Sequence, residues 1–368
     1  MKTVTHLVLG LGKGGAETML YQILKYRLNE CIQYSVISFG VLHYYEEPIR
    51  ALDVELIELD LKHRPFYSII RTLKELKKTD VLCTWMYKAN LIGFCLGKIS
   101  RVKRIVWCIR HSDLSVENNK KSILLTNQVC AKLSKKVDLV AYNGYEAKRI
   151  HELCGYDKKN SVVIDNGCDC SAYARSASAK AGILGELCIP ENKRIILSVA
   201  RYAPIKDHPA FIQTLRYLKE MRNDIVALMC GQGVEQDNGF LVAMIEESGL
   251  TVGKDVLLLG QRDDVADLMS ACDLFILHSA GEAFPNALLQ AMASGCICIA
   301  TDVGDVRRIF GYEKCIVAPH DSERIAALAN DLLNLGAEEK EKMRSKNTAD
   351  AKKYDIREIV KQYETLWA

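Results

Sequence analysis

The sequence predicts an α/β protein of two parallel-sheet domains, and three observations carry that expectation. Short apolar, β-rich runs alternate with longer helical patterns from end to end, as parallel βαβ units require. The chain has 368 residues, more than one hydrophobic core usually supports. The alternation lapses once, between Ser171 and Glu191, where Ala, Ser and Gly dominate without a strong period, and the domain linker is expected there.

In the first half THLVLGL reads as a buried strand, Ala16 to Leu28 as a helix and YSVISFG as a second strand. Pro65 to Lys77 has helical periodicity, and DVLCTW, RIVWCIR, DLVAYNG and SVVIDNG follow as strands. The second half restarts at RIILSVAR. Helices are expected at His208 to Met221, Phe240 to Ser248, Val265 to Ala271 and Asn286 to Ala293, between the strands DIVALMCG, DVLLLG, LFILHS, CICIAT and CIVA. The last helix, Tyr354 to Trp367, carries Ile356, Ile359, Val360 and Tyr363 on one face and is expected to cross back to the first domain. The expected division is 1–175 for a first Rossmann-like domain, 185–345 for a second, and 346–368 for the returning segment. In such sheets ligands bind at the carboxyl ends of the strands, so two facing domains are expected to build one cleft.

Composition narrows the class. A hydrophobic fraction of 49% with 26% charged residues is that of a globular protein with real cores. The opening MKTVTHLVLGLGKGG lacks a basic leader and small-residue cleavage site, and the apolar runs fall short of the ~20 residues a membrane span needs. A cytoplasmic location is expected. The 14 cysteines are scattered in apolar contexts without Cys-x-x-Cys spacing, which suits buried, reduced thiols and no zinc site. Net charge is +3, but residues through Lys180 carry 28 Lys+Arg against 18 Asp+Glu and the remainder 21 against 28. The basic first half suits a peripheral contact with anionic lipid or a pyrophosphate, and equally a solvated face. No aromatic-interleaved basic stripe or nucleic-acid motif accompanies it, which excludes a nucleic-acid partner.

The motifs fall at strand ends. Gly10 to Gly15 matches GxGxxG, but the second strand ends in Ser38-Phe39-Gly40, without the acidic residue that holds the ribose of a dinucleotide. Gly14 and Gly15 remain suited to cradle phosphate at a helix start, or to make a tight turn with Glu17 favouring the dipole. Arg201 and Lys206, in RYAPIKDH, suit a diphosphate whose charge grows as a sugar departs. In HSAGEAFPNALLQAMASG, Glu282 and Gln290 offer hydrogen bonds to hydroxyls, while the helix start beside Pro285 and Asn286 offers amides to an anion. The bland reading of this stretch is a capping loop. His111, in IRHSDL, is a candidate contact to the transferred sugar or the acceptor. The chain contains no Asp-x-Asp clamp for a divalent metal and no GxSxG, Walker lysine or HExxH motif. No metal is expected, and Lys and Arg must supply the positive charge.

Taken in order, GGAE at 14–17, RHSD at 110–113, VIDNGCD at 163–169, SVARYAPIKDH at 198–208, MCGQG at 229–233, LLGQRDDV at 258–265 and GEAFPNALLQAMASG at 281–295 resemble the family-4 retaining glycosyltransferases of the GT-B fold. The likeness runs over nearly the whole chain. It implies that Arg201 and Lys206 bind the donor diphosphate, Glu282 contacts sugar hydroxyls, and the backbone around Phe284, Asn286 and Ala287 holds phosphate. It also implies that Gly14 and Gly15 close over the donor from the other domain, that His111 lies near sugar and acceptor, and that Gly231, Gln261 and Arg262 belong to the donor site. The family's Glu-x7-Glu pattern appears as Glu282 and Gln290, so an amide replaces the carboxylate expected to hold ribose hydroxyls, and Ala283 replaces a glycine. The implied activity is retaining transfer of a hexose from a nucleotide sugar, UDP-linked by family frequency, to a glycan or polyprenyl-pyrophosphate-linked acceptor of a surface polysaccharide such as O-antigen, lipopolysaccharide or capsule. A nucleotide-sugar epimerase or phosphorylase of the same fold, and a non-catalytic partner subunit, are the competing readings.

Overall fold

The computed structural model describes residues 1–40, 44–116 and 118–367. The chain divides into two compact units, Met1–Gly167 with Ile356–Ala368, and Cys168–Asp355. Ala368, the last residue of the expected returning segment, lies outside the described residues.

The first unit holds seven strands: β1 (Lys2–Val8), β2 (Ile32–Ser38), β3 (Glu55–Glu58), β4 (Val81–Trp85), β5 (Arg104–Ile109), β6 (Leu139–Tyr142) and β7 (Ser161–Val163). They form one parallel sheet in the order β3-β2-β1-β4-β5-β6-β7. Both faces are covered, which is why β4 is buried at every position. Period-2 alternation sends Val81, Cys83 and Trp85 to one core and Leu82 to the other. The first core is shared by the helices Gly15–Lys25 and Ile356–Trp367.

The returning helix is tied to this unit by packing and by charge. Trp367 is fully buried, edge-on to His6 at 5.3 Å and to Tyr34 at 5.6 Å. The Glu364 carboxylate accepts from the amides of Leu28 (2.8 Å) and Asn29 (3.1 Å) and from the Tyr34 hydroxyl (3.3 Å).

The second unit holds β8 (Arg194–Val199), β9 (Ile225–Cys230), β10 (Val256–Leu258), β11 (Leu274–Leu277), β12 (Cys298–Thr301) and β13 (Ile316–Val317), parallel in the order β10-β9-β8-β11-β12-β13. In each sheet the strand order reverses beside the first strand, between β1 and β4 and between β8 and β11.

The boundaries differ from those expected. The segment 171–191 contains the helix Ala179–Glu186, whose Ala179 and Ile183 are buried in the second unit, so it is folded structure and no linker. The chain passes between units at Gly167/Cys168 instead of near 175. The helix Ala337–Ala351, whose last six residues were expected in the returning segment, belongs to the second unit through Met343 and Ala351, and the return begins only at Ile356. Among the described residues no helix is long and apolar enough to cross a membrane.

Candidate functional site

The strongest cluster of chemistry in the second unit stands at its topological switch, where the loops leaving β8 and β11 run side by side. The β8 loop is built to hold Lys206 still. Pro204 opens a short 3-10 turn, with the Lys206 amide bonded to Ala203 O (2.9 Å), and Asp207 ends it in the left-handed region at φ 52°. Asp207 then caps the helix His208–Met221 by accepting from the Ala210 amide at 3.3 Å.

From the β11 loop, Glu282 meets that lysine. Lys206 Nζ donates to Glu282 Oε1 at 2.5 Å, and the Ser279 hydroxyl donates to the same oxygen at 2.7 Å. The pair is largely shielded, the lysine side chain 21% and the glutamate 10% exposed, so its attraction is less screened than a surface pair's. Three further bonds fix the loops: Ala280 N to Ile205 O (2.9 Å), Thr301 Oγ1 to Ser279 O (2.6 Å), and Ser198 Oγ with His278 Nε2 (2.6 Å). Gly304, at φ 53°, lets the loop after β12 lie on the Glu282 backbone, where a Cβ would strike the Glu282 carbonyl oxygen. Ser279 and Gly304 meet Glu282 directly, while His278, with Nδ1 3.2 Å from Asp207 O, and Ser198 brace the end of the Lys206 loop; the sequence motifs did not single them out for this. His278 had one legible signal, its place at the end of an apolar strand.

Arg201 is exposed and, among the described residues, has no hydrogen-bond or ion-pair partner, unlike Lys206. Downstream of Glu282, the helix Asn286–Ala293 bonds backward first through Leu289 N to Pro285 O (3.1 Å), while the Asn286 amide is taken by Phe284 O (3.0 Å). The Ala287 and Leu288 amides are therefore the free donors of the first turn among the described residues. Of the three backbone positions implied for phosphate, Ala287 keeps its donor and Asn286 does not, while the Phe284 side chain is buried, packing on Tyr354 at 6.0 Å. Gln290 is half-buried on the same helix.

Other expected donor-site residues have contacts of their own. The Arg262 guanidinium is held by Glu186 (2.7 and 3.1 Å) and Asp264 (2.5 and 2.7 Å), which push its pKa up and leave it committed to carboxylates. Gly231, at φ 152°, sits against the start of the β8 loop, where a Cβ would strike the Ala200 carbonyl, so packing alone demands glycine there. Gln261 is exposed in the adjoining loop.

In the first unit the glycine turn follows β1. The Gly14 amide bonds to Gly12 O (3.0 Å), and the Glu17 carboxylate lies back against Gly14, over the start of the helix Gly15–Lys25. Burial pushes that carboxyl's pKa up. Gly15 therefore keeps its place at the helix start, but the anion beside it is the chain's own. His111, after β5, has Nε2 3.3 Å from Asn119 Oδ1 and packs edge-on to Tyr87 at 6.3 Å. Arg110 beside it is absorbed by Trp85, with its guanidinium carbon 4.8 Å from the ring centroid, and by hydrogen bonds to Asn166 and the Tyr363 hydroxyl. His111 is thus placed in a different unit from Lys206 and Glu282.

Several histidines are buried uncharged. Burial lowers His278 and His6 to about 3, and His208 and His151 to about 4, from an ordinary 6.5. Each contributes stability that is complete above about pH 6.5 and is lost as pH falls toward 3 to 4, because only the unfolded chain binds those protons. Thermal melts are expected to show a progressively lower Tm from pH 7 to pH 4.5; a flat profile over that range contradicts the buried neutral imidazoles.

Two Rossmann-like parallel units in this order, with the returning terminal helix, constitute the GT-B architecture of glycosyltransferases. Residues 183–350 match the family described as "Glycosyl transferases group 1". Similar curated proteins are an Escherichia coli UDP-Gal:alpha-D-GlcNAc-diphosphoundecaprenol alpha-1,3-galactosyltransferase, 25% identical over 71% of this chain and 68% of the relative, and a Campylobacter jejuni diphospho-undecaprenol 4-alpha-N-acetylgalactosaminyltransferase, 24% identical over 85% of each. Among solved structures, Anabaena HepE in complex with UDP and glucose superposes with a TM-score of 0.86 at 22% identity, over 100% of this chain and 99% of that one. At that identity the superposition speaks for the fold.

Proposed function

We propose that this chain is a retaining glycosyltransferase that moves a hexose from a UDP-linked donor to a hydroxyl of a glycan or polyprenyl-pyrophosphate-linked acceptor in cell-surface polysaccharide synthesis. The observation that carries the reading is the shielded Lys206–Glu282 pair beside the unpartnered Arg201 at the β8/β11 switch. Diphosphate oxygens suit the Arg201 and Lys206 cations and the free amides of the helix start near Ala287, and the charge that grows on them as the glycosidic C–O bond breaks is stabilised there. Glu282 orients the lysine and accepts from sugar hydroxyls. Gln290, through its carbonyl, accepts from ribose. The acceptor oxygen attacks the anomeric carbon from the face the phosphate leaves, and its proton passes to a phosphate oxygen, so no second carboxylate is required. The reaction is metal-independent in this reading, with nucleotide sugar as co-substrate and no other cofactor, on a cytoplasmic protein. The relatives whose names specify diphospho-undecaprenol substrates support the choice of acceptor.

The test starts with a thermal-shift screen of UDP, GDP and ADP without added metal, followed by transfer assays with UDP-hexoses and a lipid-linked acceptor. UDP is expected to raise Tm, by about 3 kcal/mol of linkage at a hundredfold excess over Kd. Absence of any nucleotide-dependent shift, or conversion of the donor without an acceptor as an epimerase would perform, overturns the reading.

A further inference from the structure

We propose that the helix Pro65–Leu76 docks the first unit on an anionic lipid surface. A surface helix ordinarily turns its apolar stripe inward and its polar face to water. This one buries Ser68 and Thr72 at 0% exposure while Phe66, Tyr67 and Ile70 stand 82%, 61% and 67% exposed. Ile69, Leu73 and Leu76 also pack inward, so the core has its own apolar contacts and the outward residues are surplus to it. Phe66 and Tyr67 lie four and three positions before Ile70, so the three side chains share one outward patch.

Charge identifies the occupant. Residues 60–78 carry six Lys and Arg against two acidic residues, a net +4, and Lys74 follows Ile70 by one turn. The helix Tyr87–Ile99 ends alongside, the Ser100 hydroxyl just beyond it donating to Leu73 O at 3.5 Å, and this end carries the exposed Lys98, Ile99 and Arg101 and, paired with Asp80 at 2.7 Å, Lys103. A second copy of this chain meeting the patch with its own patch would bring the same positive sign to the contact and repel. An anionic bilayer offers phosphates to the cations and an acyl boundary to the two aromatic rings and the isoleucine, which is how interfacial amphipathic helices are held. The surface is independent of the donor site, and its test uses no sugar transfer, so the two proposals stand or fall separately.

The full chain is sedimented with phosphatidylcholine vesicles, with and without phosphatidylglycerol. Wild type is expected to pellet with the anionic vesicles and to be released by salt. Phe66→Ser with Ile70→Ser, and independently Lys74→Glu with Lys77→Glu, are each expected to weaken binding by roughly tenfold or more. Phe240→Ser, which removes the 84% exposed aromatic of the second unit, is expected to leave it unchanged. The substituted side chains are exposed, so melting temperatures are expected to stay at the wild-type value. Equal pelleting of wild type and both patch variants, equal binding to neutral and anionic vesicles, or patch-dependent self-association without vesicle binding overturns the proposal.

Discussion

Replacing Lys206 or Glu282 by alanine is expected to lower the turnover of sugar transfer by about a hundredfold or more, the scale on which removal of a preorganised group facing transition-state charge is felt. Lys206→Ala withdraws a cation held ready for the leaving diphosphate. Glu282→Ala frees that cation from the orientation imposed at 2.5 Å and removes an acceptor for sugar hydroxyls. Because the two side chains form one unit, the double variant is expected to fall well short of the product of the single effects. Glu282→Gln keeps the shape and should lose less than Glu282→Ala. Steady-state kinetics with the preferred UDP-hexose decide the matter, and transfer that survives either alanine substitution unchanged removes the site from consideration.

Trp367→Ala is expected to destabilise the first unit by about 3–5 kcal/mol, the range for truncating a fully buried aromatic. The measurement has a built-in probe. The three tryptophans, Trp85, Trp107 and Trp367, all belong to the first unit, so indole fluorescence reports that unit alone while far-ultraviolet dichroism reports both. In urea the fluorescence transition of Trp367→Ala is expected to move to lower denaturant, with part of the dichroism transition left in place. A single transition shifted in both signals would mean that the units do not unfold separately.

Much of the fold was legible because parallel strands buried on both faces advertise themselves as apolar runs. DVLCTW, RIVWCIR and LFILHS each contain an observed strand, and the helices His208–Met221, Val265–Ala271 and Asn286–Ala293 fall where expected. The helix Ala179–Glu186 was not legible, since its short AKAGILGE pattern buries only Ala179 and Ile183 and resembles a small-residue linker. In the second unit Arg201, Lys206 and Glu282 stand out by motif position, but the pairing of the last two does not: residues 206 and 282 meet only through the adjacency of β8 and β11. Arg262 shows the same limit on partners. Asp264 was visible two residues away, yet the second carboxylate that claims the guanidinium, Glu186, is 76 positions earlier. The bond from the Gly14 amide to Gly12 O was hidden for a local reason, since it depends on the turn geometry and not on residue type.

The interleaving of the two units also dictates an order of events during synthesis. Residues 168–355 are contiguous, so the second unit has its whole sequence available before Ile356 leaves the ribosome, whereas the sheet begun at Lys2 lacks the helix that seals one of its faces until Trp367 has been made. Domains that fold as they emerge normally finish from the amino end. Here the nascent first unit holds Val4, Tyr34 and Cys83 uncovered by that helix until residues made after the whole second unit arrive.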